Sequence, residues 1–338
     1  MKIRAFITHK KCETYSDCQD RFCIDTNMKT VCVSDGMSQS IFPDYWAQIL
    51  SDFYAKKARC NADDLPELCD LWRNRVNEYI QDARAKGTLH YLTEQSLAQG
   101  RSAGATICGI QFDDATIWHG HVLGDSCIVE VSTDGKELKI HASEDKPFDC
   151  YPDYYDSFKG RAGKGVIKAI DGDIGPDKIL LLISDPFSEF IYRHQGDFSP
   201  YLDEILNVQD HSQYCELVDK WRQLGMHNDD STLCIVEFDN DANVTVSYED
   251  KIDQFIEEEE KEHEENDENA EETEKLIPRD QGIEQEKHKE EDIIDQCVDK
   301  IINKLQGLSG NHNKKWKTRA KTIVKEILGE CLQKISKL

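Results

Sequence analysis

Long apolar runs are missing from this sequence. Its longest strongly apolar stretch, ILLLI at 179–183, is far short of the roughly 20 residues that cross a bilayer. The first residues, MKIRAFITHKK, carry no apolar core of a secretory leader. Positive charge is scarce as well. Against 66 Asp and Glu stand 41 Lys and Arg, a formal net charge of −25, and phosphate-covered surfaces repel a chain of that sign. Neither nucleic acid nor membrane is therefore expected as a partner. The 13 cysteines are odd in number, scattered, and contain no C-x-x-C pair. That pattern fits reduced thiols serving as small core residues in a cytoplasmic protein, and neither a disulfide framework nor a zinc ribbon.

What is present divides by composition into three regions. Residues 1–250 read as a globular domain, 251–290 as an acidic linker, and 291–338 as an amphipathic helical hairpin. In the first region, KIRAFITH, RFCID, TVCVSD, GATICGIQF, ATIWHGHVL, SCIVEVS, KILLLISD, STLCIVEF and NVTVSY are rich in β-branched and aromatic residues and bounded by Gly, Asp and Asn, as strands are. Helical spacing marks FPDYWAQILSDFYAKKA, then LPELCDLWRNRVNEYIQDARAKG, and a shorter CELVDKWRQLG stopped by glycine. The order of these elements does not alternate regularly, which favours antiparallel sheets covered by helices. Residues 257–274 carry 12 acidic residues against one lysine, the composition of a solvated spacer or fraying helix. Beyond it, Ile293 to Leu305 and Trp316 to Ile335 each present an apolar stripe at helical spacing, separated by GLSGN. The second stripe carries a charge of +6 over 314–338, suited to an acidic partner or to the chain's own acids.

Aspartates recur where strands begin or end: Asp20 before RFCID, Asp35 after TVCVS, Asp125 before SCIVEVS, Asp185 after ILLLIS, and Asp229 with Asp230 before STLCIVEF. A single strand-end aspartate is commonly a turn cap. Five at the ends of different strands could share one cleft, where each close pair would repel by about 1 kcal/mol even in water. Divalent cations with oxygen ligands remove that cost, and Mg²⁺ or Mn²⁺ suit a shell of carboxylates, carbonyls and water.

CQDRF, VCVSDGM, GATICGI, LGDS, LLLISD and DDSTLCIVEF follow one another over residues 1–250, and in that order they resemble the motifs of the metal-dependent protein phosphatase 2C family, closest to its bacterial branch with a Cys-Gln-Asp first motif. The resemblance implies an α+β fold: a four-layer α-β-β-α sandwich of two antiparallel sheets flanked by helices, here with the C-terminal helical hairpin added. It implies that Asp35 bridges two metal ions, that Gly36 offers its carbonyl, that Asp185 and Asp229 hold the second ion, that Asp20 orients water, and that Asp125 serves a possible third ion. The implied activity is a serine/threonine protein phosphatase in which a hydroxide bridging two Mg²⁺ or Mn²⁺ ions attacks phosphorus. No nucleophilic thiol is needed, and Cys12 and Cys18 lie in no phosphate-cradling glycine loop.

Several positions depart from the family pattern. Gln19 stands where glutamate is common, Ser38 and Gln39 replace a glycine pair, and Pro186 follows Asp185. The phosphate-binding arginine has no clear counterpart. His9, Lys10 and Lys11 lie in its segment, and Lys11 is taken as the substrate-phosphate contact. His119 and His121 share a strand face, as packing residues would. The expected partner is a phosphorylated protein, with a kinase or adaptor reached through the hairpin. The alternative is a pseudophosphatase or signalling adaptor that keeps the fold and hairpin as binding modules.

Overall fold

A computed structural model describes residues 1–113, 116–143, 152–239 and 243–262. The hairpin expected at 291–338 and most of the acidic linker lie outside the described residues. The chain divides into two units, Met1–Glu262 and His263–Leu338. Within the first unit the elements run β1 (Lys2–Thr8), β2 (Arg21–Asp25), β3 (Thr30–Ser34), α1 (Pro43–Lys57), α2 (Leu65–Lys86), α3 (Tyr91–Ala98), β4 (Gly104–Ala105), β5 (Ile107–Phe112), β6 (Ile117–Leu123), β7 (Cys127–Ser132) and β8 (Leu138–His141). They continue with β9 (Tyr155–Asp156), β10 (Lys168–Asp173), β11 (Lys178–Ile183), α4 (Asp185–His194), α5 (Ser199–Asn207), α6 (His211–Gln223), β12 (Ser231–Glu237) and β13 (Thr245–Glu249). Residues 252–262 are helical.

Two main sheets result, ordered β13-β1-β12-β11-β7-β8 and β10-β6-β5-β3-β2. Their pairings are antiparallel except at one edge, where β13 lies parallel to β1. The inner strands are buried on both faces, and strand alternation divides their side chains between cores. On β11, Leu180 and Leu182 face a core between the sheets with Val33, Ile110 and Trp118, whereas Ile179, Leu181 and Ile183 face a second core under α4, α5 and α6 with Phe187 and Trp221. A third core lies under α1 and α2, where Trp46, Tyr54 and Trp72 cover Cys32 and Ile107. Four layers, α-β-β-α, follow from these three cores.

The thiols bear out the reading of cysteine as a core residue. Cys18, Cys32, Cys60, Cys69, Cys108, Cys127 and Cys234 are all buried and unbridged. His119 and His121 do lie on one strand, with polar partners. His119 meets Asp171 at 2.6 Å and Asp113 at 2.9 Å, and His121 meets the Tyr54 hydroxyl at 3.1 Å. Tyr54 is completely buried over Gly109, where an added Cβ would stand 2.4 Å from its ring. Gly109→Ala is expected to lower the unfolding free energy by about 1–3 kcal/mol in urea titration. Gly196→Ala, with no atom within 4 Å of its Cβ, is the control and shifts stability by less than about 0.5 kcal/mol.

Candidate metal centre

Strand ends carry the acids, and hydroxyl groups lace those ends together. Behind β3, the Ser34 hydroxyl donates to the Thr106 carbonyl at 2.6 Å, the Asp35 amide donates to the Thr106 hydroxyl at 3.2 Å, and that hydroxyl meets Ser126 at 2.6 Å. These bonds align the ends of β3, β5 and β7, and so set Asp35 beside Asp125. From the other sheet, the Thr232 amide donates to the Ser184 hydroxyl at 2.9 Å, and the Thr232 hydroxyl donates to Asp20 Oδ2 at 2.7 Å. Asp185 does not end a strand as the sequence suggests. It is the first residue of α4, with Pro186 in the first turn, where a missing amide hydrogen costs nothing. The helix N-terminus favours the ionised Asp185 carboxylate.

All five sequence-nominated aspartates are brought together. Burial, then the charges of Asp20, Asp185, Asp125 and Asp229, push Asp35 well above the usual carboxylate range. Asp185 is raised in the same way by burial and by Asp125, Asp229 and Asp20, and its carboxyl lies within hydrogen-bonding reach of Asp35. Asp20 is completely buried, and burial with the charge of Asp230 pushes it up to about 7 against hydrogen bonds from Thr232 and Ser184. Such acids ionise together only if positive charge arrives.

Gly36 sits directly behind Asp35. A Cβ there would stand 2.8 Å from the Gln19 carbonyl oxygen and 2.8 Å from Pro43 Cβ, so the glycine is required by close backbone packing. Lys11 is exposed and its amide donates to Asn228 Oδ1 at 2.9 Å. Lys10 is the lysine that reaches the acids. Its ammonium lies 2.9 Å from Asp229 Oδ1, 4.0 Å from Asp230 Oδ2 and 3.0 Å from the Ser38 hydroxyl. Burial alone would lower the Lys10 pKa, but Asp229 and Asp230 outweigh it and raise it. Asp230 also accepts the amides of Lys10 and Gln19, at 2.9 and 2.7 Å. Arg222 braces the same loops from α6, donating to the carbonyls of His9 at 3.0 Å and Asp229 at 2.8 Å.

One side chain escaped the sequence reading. A ring nitrogen of His227 and carboxylate oxygens of Asp185 and Asp229 lie within 4.8 Å of one another, a spacing that suits a metal ion. His227 stands in an exposed loop with no periodicity to mark it, two residues before Asp229. The donors present fit a hard divalent cation: they are carboxylate oxygens in excess of nearby positive charge, with an imidazole at the rim. Two buried oxygens here, Asp20 Oδ1 and Gln19 Oε1, have no hydrogen-bond partner among the described residues, as expected of groups that face water or an ion.

No protein-family model matches this sequence, and no curated protein matches it. Solved structures do show likeness. The catalytic domain of the serine threonine protein phosphatase PstP, in complex with 2 manganese ions, is 14% identical with a TM-score of 0.42, over 69% of this chain and 96% of that one. PppA of Pseudomonas aeruginosa, described as a regulatory component of T6SS, is 14% identical with a TM-score of 0.44, over 70% and 98%. The serine/threonine phosphatase Stp1 of Staphylococcus aureus is 11% identical with a TM-score of 0.44, over 70% and 95%.

The clustered acids set a pH dependence. The unfolded chain releases the Asp20 proton near pH 4, whereas the folded metal-free chain keeps it up to about pH 7. The folded state therefore binds more protons across that window, and its stability falls as pH rises through it. In chelator, the Tm is expected to drop between pH 4 and pH 7, less so in Asp20→Asn, and Mn²⁺ is expected to restore it. A Tm that holds steady in chelator would contradict a clustered, uncompensated set of acids.

Proposed function

We propose that this chain is a metal-dependent serine/threonine protein phosphatase that hydrolyses phosphomonoesters at the carboxylate cluster. The observation that carries the reading is the convergence of Asp20, Asp35, Asp125, Asp185 and Asp229 from both sheets and α4 at one site, where the charges of the other four all raise Asp35. Asp35 would bridge two ions and the Gly36 carbonyl would face one of them. Asp185 and Asp229 would hold the second, with His227 beside them, and Asp125 would serve a third. Mg²⁺ or Mn²⁺ would fill these positions, and the added imidazole favours Mn²⁺. When bound, such ions supply an attacking water of lowered pKa and positive charge for the phosphoryl oxygens. Asp20, sequestered behind the cluster with one oxygen fixed by Thr232, keeps its other oxygen for orienting water. Lys10 is committed to Asp229 and Asp230, so the exposed Lys11 is the lysine of this loop left for the substrate phosphate.

The substrate class is a phosphorylated protein. The amphipathic stretches at 291–338 are read as a docking or regulatory hairpin for a kinase or adaptor, tethered through the acidic residues before it, in a cytoplasmic setting.

A second reading, a pseudophosphatase or signalling adaptor, draws on Lys10. An ammonium 2.9 Å from Asp229 competes with one ion for its ligand. Calorimetric titration with Mn²⁺ separates the readings: two or more sites are expected of the enzyme, and none or one weak site of the binding module.

Activity is checked with an aryl phosphate. Mn²⁺-stimulated hydrolysis is expected, abolished by chelation and reduced by on the order of 10²–10³-fold in Asp35→Asn. Lys11→Ala should raise KM more than it lowers kcat, since it removes a contact made in the ground state as well. A purified, metal-binding chain that hydrolyses neither aryl phosphate nor phosphopeptide would refute the enzyme.

A further inference from the structure

A second cluster of reactive side chains lies where α6 crosses the end of β1. His211 and Cys215 are one turn apart on α6 and so share a face. Cys215 Sγ lies 3.3 Å from His211 Nε2 and 3.7 Å from the Thr8 hydroxyl. On its far side, His211 Nδ1 lies 2.9 Å from Asp250 Oδ2. The Asp250 side chain is wholly buried, and it is fixed by the Ile7 amide at 2.9 Å and the Tyr248 hydroxyl at 3.0 Å. The Tyr15 hydroxyl completes the cradle, 2.6 Å from His211 Nε2 and within hydrogen-bonding reach of Cys215 and Thr8. Phe255 packs on the imidazole with ring centroids 4.3 Å apart.

We propose that Cys215 is a nucleophile, activated by His211 and Asp250, that is modified by small hydroperoxides. The order carboxylate, imidazole, thiol is that of an activated nucleophile, in which the buried acid orients the ring and the ring faces the sulfur. Burial lowers the His211 pKa, but Asp250 and Cys215 more than offset it and bring it up to about 10, so the ring is cationic at neutral pH. An adjacent imidazolium stabilises thiolate over thiol. Cys215 is only half-buried, unlike the core cysteines.

The chemistry balances within the cluster. The thiolate sulfur attacks one peroxide oxygen, an S–O bond forms as the O–O bond breaks, and the sulfur is oxidised by two electrons to a sulfenic acid. The departing hydroxide, or alkoxide from an organic hydroperoxide, takes the His211 proton and leaves as water or alcohol. The Tyr15 and Thr8 hydroxyls border the sulfur. This site shares no residue with the carboxylate cluster, and it stands or falls independently of the phosphatase reading.

The test uses the reduced full-length chain, limiting hydrogen peroxide, a dimedone trap for sulfenic acid, and peptide mapping of every cysteine. Cys12, exposed and without such partners, is the internal reference. Cys215 is expected to be trapped on the order of tenfold faster than Cys12. His211→Gln should bring it down to the Cys12 rate while Cys12 itself is unchanged, and the milder Tyr15→Phe should give an intermediate rate. Equal trapping of Cys215 and Cys12 in the native chain overturns the proposal whatever the variants do. So does a folded His211→Gln chain with undiminished trapping at Cys215.

Discussion

Mutual repulsion among buried carboxylates is the constraint around which this molecule is organised. Taking several acids out of water and placing them beside one another is unfavourable, and the three apolar cores supply the burial that offsets it. The hydroxyls of Ser34, Thr106, Ser126, Ser184 and Thr232 then hold the strand ends in register, so the acids cannot splay into solvent. Part of the charge is answered internally, by Lys10 and by backbone amides on Asp230. The remainder calls for an external cation.

The loop between β1 and β2 links this site to the rest of the unit. Its residues supply Lys10 to Asp229, Gln19 and Asp20 to the cluster, and Tyr15 to His211. The helical residues 252–262 reach the same loop, where Glu259 accepts the Tyr15 amide at 2.8 Å and Phe255 packs on the Tyr15 ring. The acidic run therefore begins inside the folded unit, beyond the boundary near residue 250 that composition alone suggests. Arg222 ties α6 to both His9 and Asp229, so the carboxylate site and the Cys215 cluster share one set of supports.

Much of the architecture was legible from side-chain pattern. Every strand-like run in the sequence lies on an observed strand, because a residue buried on a sheet face leaves a period of two or an unbroken apolar run. The helices α1 and α2 announce themselves by wide apolar stripes, as in Leu68, Trp72, Val76 and Ile80. The misses have local causes. β10, KAIDGD, is an exposed edge strand with little apolar signal, and β8 has four residues. α4 carries Phe187, Phe190 and Ile191 at helical spacing, but Asp-Pro at its start reads as the end of the preceding strand. The parallel pairing of β13 with β1 depends on a partner more than 240 residues away, which no local pattern encodes.

By itself the sequence determined which residues are apolar, where strands and the longer helices form, and that an unusual number of aspartates sit at strand ends. Those are properties of neighbours along the chain, set by backbone geometry and side-chain alternation. Only the tertiary structure decided that Asp20, Asp35, Asp125, Asp185 and Asp229 meet, that Lys10 rather than Lys11 reaches them, and that His227 joins the rim. It likewise decided that Cys215 meets a histidine backed by a buried carboxylate. Each of these depends on distances across the fold, and an electrostatic interaction depends on separation in space, which position along the chain does not specify.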